Sequence, residues 1–314
     1  MRAPRLIEAL IVLAFLSAIL AGLGTEIASP TSPVLTATPR ALSTLTVTPS
    51  PAATLTPSLT PSPTVTLAPN QFGTRVTFAA EDGRELVGYF YPSWKPNAPV
   101  VVLMHQRQSD QSGWQESAII PWMQNWGALD PSGQTYTYAG GRLPQMPKDL
   151  SFAVFTFDFR GHGESLPLLD SADGSRYTSE FLLDAKAAYA TAQTMPGVDP
   201  NKLIGIGASI GADAVVDACN DSCAGAFSVS PGNWLNVDFG EAAQALLRRG
   251  RPVRCMYAVN DALSPQTCWS IQPSDLYKIF AYPGIKHGMT FFVPRKMEFG
   301  FGNNLLEFLQ AATK

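Results

Sequence analysis

From about residue 71 to the C-terminus, short apolar runs alternate with longer stretches whose apolar positions recur at helical spacing. Runs rich in Val, Ile, Phe and Tyr at 74–78, 86–91, 100–104, 152–157, 203–206, 226–230, 253–259 and 277–281 predict eight strands. Helical periodicity predicts helices over 179–193, 210–219, 240–249 and 304–312. Such alternation implies an α/β fold, with a mainly parallel eight-stranded sheet flanked by helices on both faces. In sheets of that kind ligands bind beyond the carboxyl ends of the strands, so chemistry is sought just after each apolar run.

The first 70 residues follow a different pattern. Arg2 and Arg5 precede an uncharged stretch of 16 residues, 9–24. That charged-then-apolar order is the order of a secretory signal, and the stretch is short of the about 20 residues that comfortably span a bilayer. Two readings stand for residues 1–24: a cleaved signal peptide, or an uncleaved membrane anchor. No cysteine follows the apolar run to carry a lipid. In residues 25–69 the composition shifts to 9 prolines and 18 serines or threonines among 45 residues, with only Glu26 and Arg40 charged. Such a segment cannot bury a core, so 25–70 reads as a disordered, semi-rigid linker reaching about 140 Å at ~3.1 Å per residue. Residues 71–314 are then one domain, long enough to bury a substantial core.

Candidate chemistry sits where the strand pattern says to look. Gly207-Ala-Ser-Ile-Gly211 lies between a predicted strand and a predicted helix, the context of a nucleophile elbow. The reversal there is tight enough that small residues must flank Ser209. It also leaves the hydroxyl exposed at a helix start, where free N–H groups can stabilise an oxyanion. Asp261 and His287 each follow a later strand, which gives the chain order Ser, Asp, His. A serine hydroxyl is a poor nucleophile at neutral pH, so His287 would take its proton and Asp261 would hold the imidazole in the required tautomer.

These residues, together with Asp158-Phe-Arg-Gly-His-Gly-Glu-Ser165 and Val100-Val-Leu-Met-His-Gln106, resemble the α/β-hydrolase superfamily, in particular its dienelactone-hydrolase-like and serine-aminopeptidase-like branches. The resemblance implies a serine hydrolase with Ser209, Asp261 and His287 as catalytic residues; the sequence carries no phosphate-cradling loop or dinucleotide fingerprint, so no cofactor is expected. It also implies an oxyanion hole made by the backbone N–H of Ile210 and by that of Arg107 or Gln106. The chain departs from the family where glycine usually follows the histidine: here it has Gln106, which would be strained if the position required a positive φ. His105, His162, Asp158 and Arg160 read as groups that fix turns rather than touch substrate.

Four cysteines in an exported chain favour disulfides, and of three possible connectivities we take the local one, Cys219 with Cys223 and Cys255 with Cys268; the alternatives are buried free thiols and a metal site, for which the spacing is poor. The second bridge would hold the Asp261 loop at both ends. Residues 114–150 form a long, aromatic-rich connection that reads either as a lid or acyl-pocket wall, or as an insertion packed on its own aromatics. A net charge of −3 with no basic run in the folded region gives no reason to expect nucleic-acid binding. The sequence therefore predicts a secreted or extracytoplasmic enzyme, free or tethered to a membrane or cell surface by its N-terminus, that hydrolyses small-molecule carboxylic esters through an acyl-enzyme. A peptidase or acylaminoacyl hydrolase of the same fold is the alternative in chemistry. A catalytically silent surface-binding module is the alternative in class.

Overall fold

The structure, a computed structural model, describes residues 73–125, 138–165 and 179–314. The leader at 1–24, the linker at 25–70 and the middle of the long connection, 126–137, lie outside the described residues.

Eight strands form one sheet: β1 (Thr74–Ala79), β2 (Glu85–Tyr91), β3 (Ala98–Met104), β4 (Ala153–Phe157), β5 (Val198–Ala208), β6 (Cys223–Val229), β7 (Val253–Ala258) and β8 (Tyr277–Tyr282). Their order is β1-β2-β4-β3-β5-β6-β7-β8. β2 pairs antiparallel with β1 and with β4, and every other neighbouring pair is parallel. The apolar runs are nearly continuous because the strands are covered on both faces. In β3, Val100, Val102 and Met104 join one core cluster while Val101 and Leu103 join the other, the alternation that a pleated strand imposes.

The helices are α1 (Ser112–Gln115), α2 (Ile119–Gln124), α3 (Glu180–Gln193), α4 (Ile210–Asp217), α5 (Phe239–Arg248), α6 (Ser264–Cys268) and α7 (Phe301–Ala312). Residues of α3, α4 and α5 pack in the first cluster, and those of α1, α2 and α7 in the second. Periodicity misses α1, α2 and α6 because four to six residues are too few to display a helical repeat. Two predicted bounds also move. Strand β5 begins at Val198, because Ala98 pairs with Val198 before a register shift. Helix α7 begins at Phe301, whose ring is buried against Phe292 at 5.3 Å.

The connection after β3 is anchored rather than free. Trp114 and Trp122 are fully buried, Trp114 stacks edge-on to Phe292 at 4.5 Å, and the Trp122 indole donates to the carbonyl of Pro144 at 2.6 Å. These aromatics belong to the main core, so this part of the connection neither packs only on itself nor supplies a moving cover. Trp126 and Tyr136 lie outside the described residues.

Asp217 closes α4 with one carboxylate oxygen buried and unpartnered. Burial, reinforced by the charge of Asp238 and opposed by that of Lys186, pushes its pKa up to about 7. The neutral form is therefore favoured in the fold. Its stability contribution is complete below the ordinary value of 3.8 and is lost as pH rises through about 7. Asp217→Asn should accordingly raise Tm little near pH 4 and progressively more up to pH 7, then level off with a gain of about 2 kcal/mol. A gain that does not vary with pH would contradict this account.

Candidate active site

The three candidate catalytic groups all stand beyond carboxyl ends of parallel strands, Ser209 after β5, Asp261 after β7 and His287 after β8. Ser209 lies between β5 and α4, with φ 55° and ψ −116°, a left-handed conformation costly for a residue with a Cβ. Close packing enforces it. A Cβ on Gly207 would run into the carbonyl of Gly211, and one on Gly211 would run into the carbonyls of Met104 and His105. The Ser209 N–H is pinned to Val229 O at 2.9 Å. The elbow is thus wedged between the tips of β3 and β6.

The Ser209 hydroxyl reaches His287 Nε2 at 2.8 Å, and His287 Nδ1 lies 2.9 Å from Asp261 Oδ2 and 3.0 Å from Oδ1. Both contacts are satisfied when Nδ1–H donates to the carboxylate and Nε2 accepts from the hydroxyl. Ser209 is 7% exposed, while the His287 side chain is 36% exposed, so the imidazole forms the accessible wall of the site. Burial alone would raise the pKa of Asp261. Hydrogen bonds from His287, Ser230 and Ser264, with the His287 charge, outweigh that and hold it below the ordinary carboxylate value.

Local chain structure carries the acid and the base. Beyond the strand ends, the N–H groups of Val259 and Asn260 bond to Tyr282 O and Gly284 O, at 2.9 and 3.1 Å, so the acid loop is stitched to the chain leading to His287. Ser264, at the start of α6, donates to Asp261 Oδ2 at 3.0 Å. A disulfide joins Cys255 in β7 to Cys268 in α6, and another joins Cys219 to Cys223. A bridge of this span, 13 residues, removes about 3 kcal/mol of unfolded-chain freedom.

On the oxyanion side, Ile210 is the first residue of α4, so its N–H has no intrahelical acceptor. The N–H of Gln108 is taken by His162 Nε2 at 3.3 Å, which leaves the preceding N–H groups of Gln106 and Arg107 as candidates. Gln106 does not carry the left-handed strain; Gln108 does, with φ 61°. The Gln106 side chain has a task of its own: its amide oxygen accepts the Met289 N–H at 2.7 Å, tying the turn after β3 to the turn after His287. Gly288, with φ 52°, leaves the room this requires, since a Cβ there would strike the same oxygen.

His105 and His162 brace loops. Each has Nδ1 against a backbone carbonyl, of Gln106 at 2.7 Å and of Arg160 at 3.0 Å, and each accepts a backbone N–H at Nε2. Burial pushes the pKa of His105 down to about 3, so it is neutral. Asp158 accepts the N–H groups of Gln111 at 2.7 Å and Glu164 at 2.9 Å. Arg160 pairs with the buried Asp184 at 2.7 Å and with Asp82 and Glu180. Asp158→Ala should therefore cost about 2–4 kcal/mol of stability by orphaning two N–H groups, whereas His287→Ala should leave Tm within a few degrees and lower turnover by orders of magnitude. Equal melting losses with equal rates would reverse these assignments.

Sequence reasoning missed two supports. Ser230, the last residue of the strand pattern at 226–230, is fully buried just past β6 and contacts both the acid and the histidine turn. Asp213, in the first turn of α4, is also fully buried. It accepts the N–H of Gly232 at 3.1 Å and that of Trp234, whose ring stands edge-on to His287 at 5.9 Å. Burial pushes Asp213 up to about 7. Neither residue has a sequence signal, since their partners lie on other strands. Among the described residues no cluster of His, Cys, Asp or Glu could hold a metal ion.

Sheet order, flanking helices and the strained elbow define the α/β-hydrolase fold, and the chain has that fold. Among solved structures it is similar to an esterase from Pyrococcus furiosus, at 15% identity and TM-score 0.52 over 76% of this chain and 91% of the other. It is also similar to a protein of Thermoplasma acidophilum described as a predicted CIB-like hydrolase, at 12% identity and TM-score 0.50 over 76% and 98% of the two chains. No protein-family model matches the sequence, and comparison with curated proteins returns no match.

Proposed function

We propose that the protein is a serine hydrolase that cleaves small-molecule carboxylic esters through an acyl-enzyme on Ser209. One observation carries the reading: a continuous hydrogen-bonded chain runs from the Ser209 hydroxyl through His287 to Asp261, with the serine held in a strained turn at a helix start. Ser209 Oγ attacks the ester carbonyl carbon as His287 Nε2 takes its proton. The negative charge on the carbonyl oxygen faces the N–H of Ile210 and that of Arg107 or Gln106. His287 then protonates the departing alkoxide, leaving the acyl group on Ser209. In the second half His287 deprotonates a water that attacks the acyl carbonyl, and its proton returns to Ser209 as the carboxylic acid leaves. A fluorophosphonate probe, together with p-nitrophenyl esters of graded acyl length, tests the reading: labelling should be stoichiometric and confined to Ser209. Folded wild-type protein that resists the probe would end it.

The catalytic domain, 71–314, is on this reading exported and held at the end of the 25–70 spacer, with 1–24 as signal or anchor. Two disulfides support export, because such bonds persist in oxidising compartments. Intact-mass measurement of the protein from its native host should find it outside the cytoplasm, and a cytoplasmic pool with four free thiols would count against the assignment.

A further inference from the structure

The tip of β6 lies between the strand that carries the nucleophile and the strand that carries the acid, since the sheet runs β5-β6-β7-β8. Every polar group at that tip is engaged with the site. Val229 O accepts the Ser209 N–H at 2.9 Å, and Ser230 N–H donates to Met256 O, in the acid strand, at 2.8 Å. Ser230 O accepts the Trp234 indole N–H at 3.2 Å. Ser230 Oγ accepts the Gly288 N–H at 3.1 Å, one residue past His287, and the same hydroxyl helps to hold the Asp261 carboxyl below its ordinary pKa.

The residue is fully buried and holds φ 58°, a conformation that disfavours any residue with a Cβ. Glycine would adopt this backbone at no steric cost. A serine kept here at the expense of strain is explained by its hydroxyl.

We propose that Ser230 is a positioning residue that ties the His287 turn to the strand carrying Asp261, fixing the imidazole at hydrogen-bonding distance from Ser209. The proposal rests on the serine-hydrolase reading. With its N–H on the acid strand and its hydroxyl on the histidine turn, the residue keeps the acid and the base in register although they sit on separate loops. Without it, Asp261 retains Ser264 and His287 as partners, but the Gly288 N–H loses its acceptor, which leaves the Met289 N–H on Gln106 to hold the turn just past His287.

The test compares Ser230→Gly, Ser230→Ala and Ser230→Thr by Tm, by kcat and KM on p-nitrophenyl butyrate, and by the rate of fluorophosphonate labelling. Stability and activity should rank in opposite orders. Glycine relieves the backbone and should melt highest, and threonine, β-branched at positive φ, lowest. Ser230→Gly and Ser230→Ala should each lose roughly 10–100-fold in kcat and in labelling rate with KM unchanged. Ser230→Thr, which keeps a hydroxyl, should recover much of the rate; if it does not fold, the glycine and alanine pair still decides. Wild type that labels while Ser230→Gly labels just as fast would overturn the positioning role alone. Wild type that does not label would remove the serine-hydrolase reading, and this role with it.

Discussion

Ser209→Ala should abolish fluorophosphonate labelling and lower kcat by about 10⁵–10⁶-fold while the protein stays folded. Size follows from mechanism: without the hydroxyl no acyl-enzyme forms, and only the oxyanion donors and binding contacts remain to assist direct attack by water. Preservation of the fold follows from packing. The tight turn is enforced by Gly207 and Gly211 against Met104 and His105, not by the serine side chain, whose hydroxyl bonds only His287. The left-handed φ persists and alanine tolerates it no worse than serine does, so Tm should move by no more than a few degrees. Residual activity within tenfold of wild type would mean that the nucleophile lies elsewhere.

Asp261→Asn should lower kcat by about 10⁴-fold, with KM and Tm little changed. The substitution is nearly isosteric, and Ser264 and Ser230 can rotate their hydroxyls to suit an amide. His287 cannot adapt so cheaply. An amide oxygen turned toward the serines places the amide NH2 against Nδ1, which must then give up its proton and accept. The proton moves to Nε2, where it faces the Ser209 hydroxyl and leaves no base. An activity loss of less than tenfold would show that the carboxylate does not set the tautomer.

The fold class was legible early because strands buried on both faces write themselves as uninterrupted Val, Ile and Phe runs, as in β3 and β4. All eight predicted strands overlap observed ones. Short helices such as α1 and α6 were not legible, since one turn has no period to detect. The elbow could be read because its glycines are a steric demand made within five residues. Gln106 stood out as a departure from the family pattern, but its actual task, accepting the Met289 N–H, joins positions 183 residues apart.

Local sequence therefore determined what each segment would become and which reactive groups would sit at strand ends: Ser209, Asp261 and His287 lie in runs whose pattern depends on near neighbours alone. Tertiary structure decided everything that requires two distant segments to meet. It chose which N–H groups past β3 remain free, turned Trp114 and Trp122 into core anchors, and placed Ser230 between acid and base. The physical reason is range. Periodicity, turn sterics and strand propensity act over a few residues, whereas hydrogen bonds between loops depend on the order in which strands lie side by side. That order is settled only when the whole sheet packs.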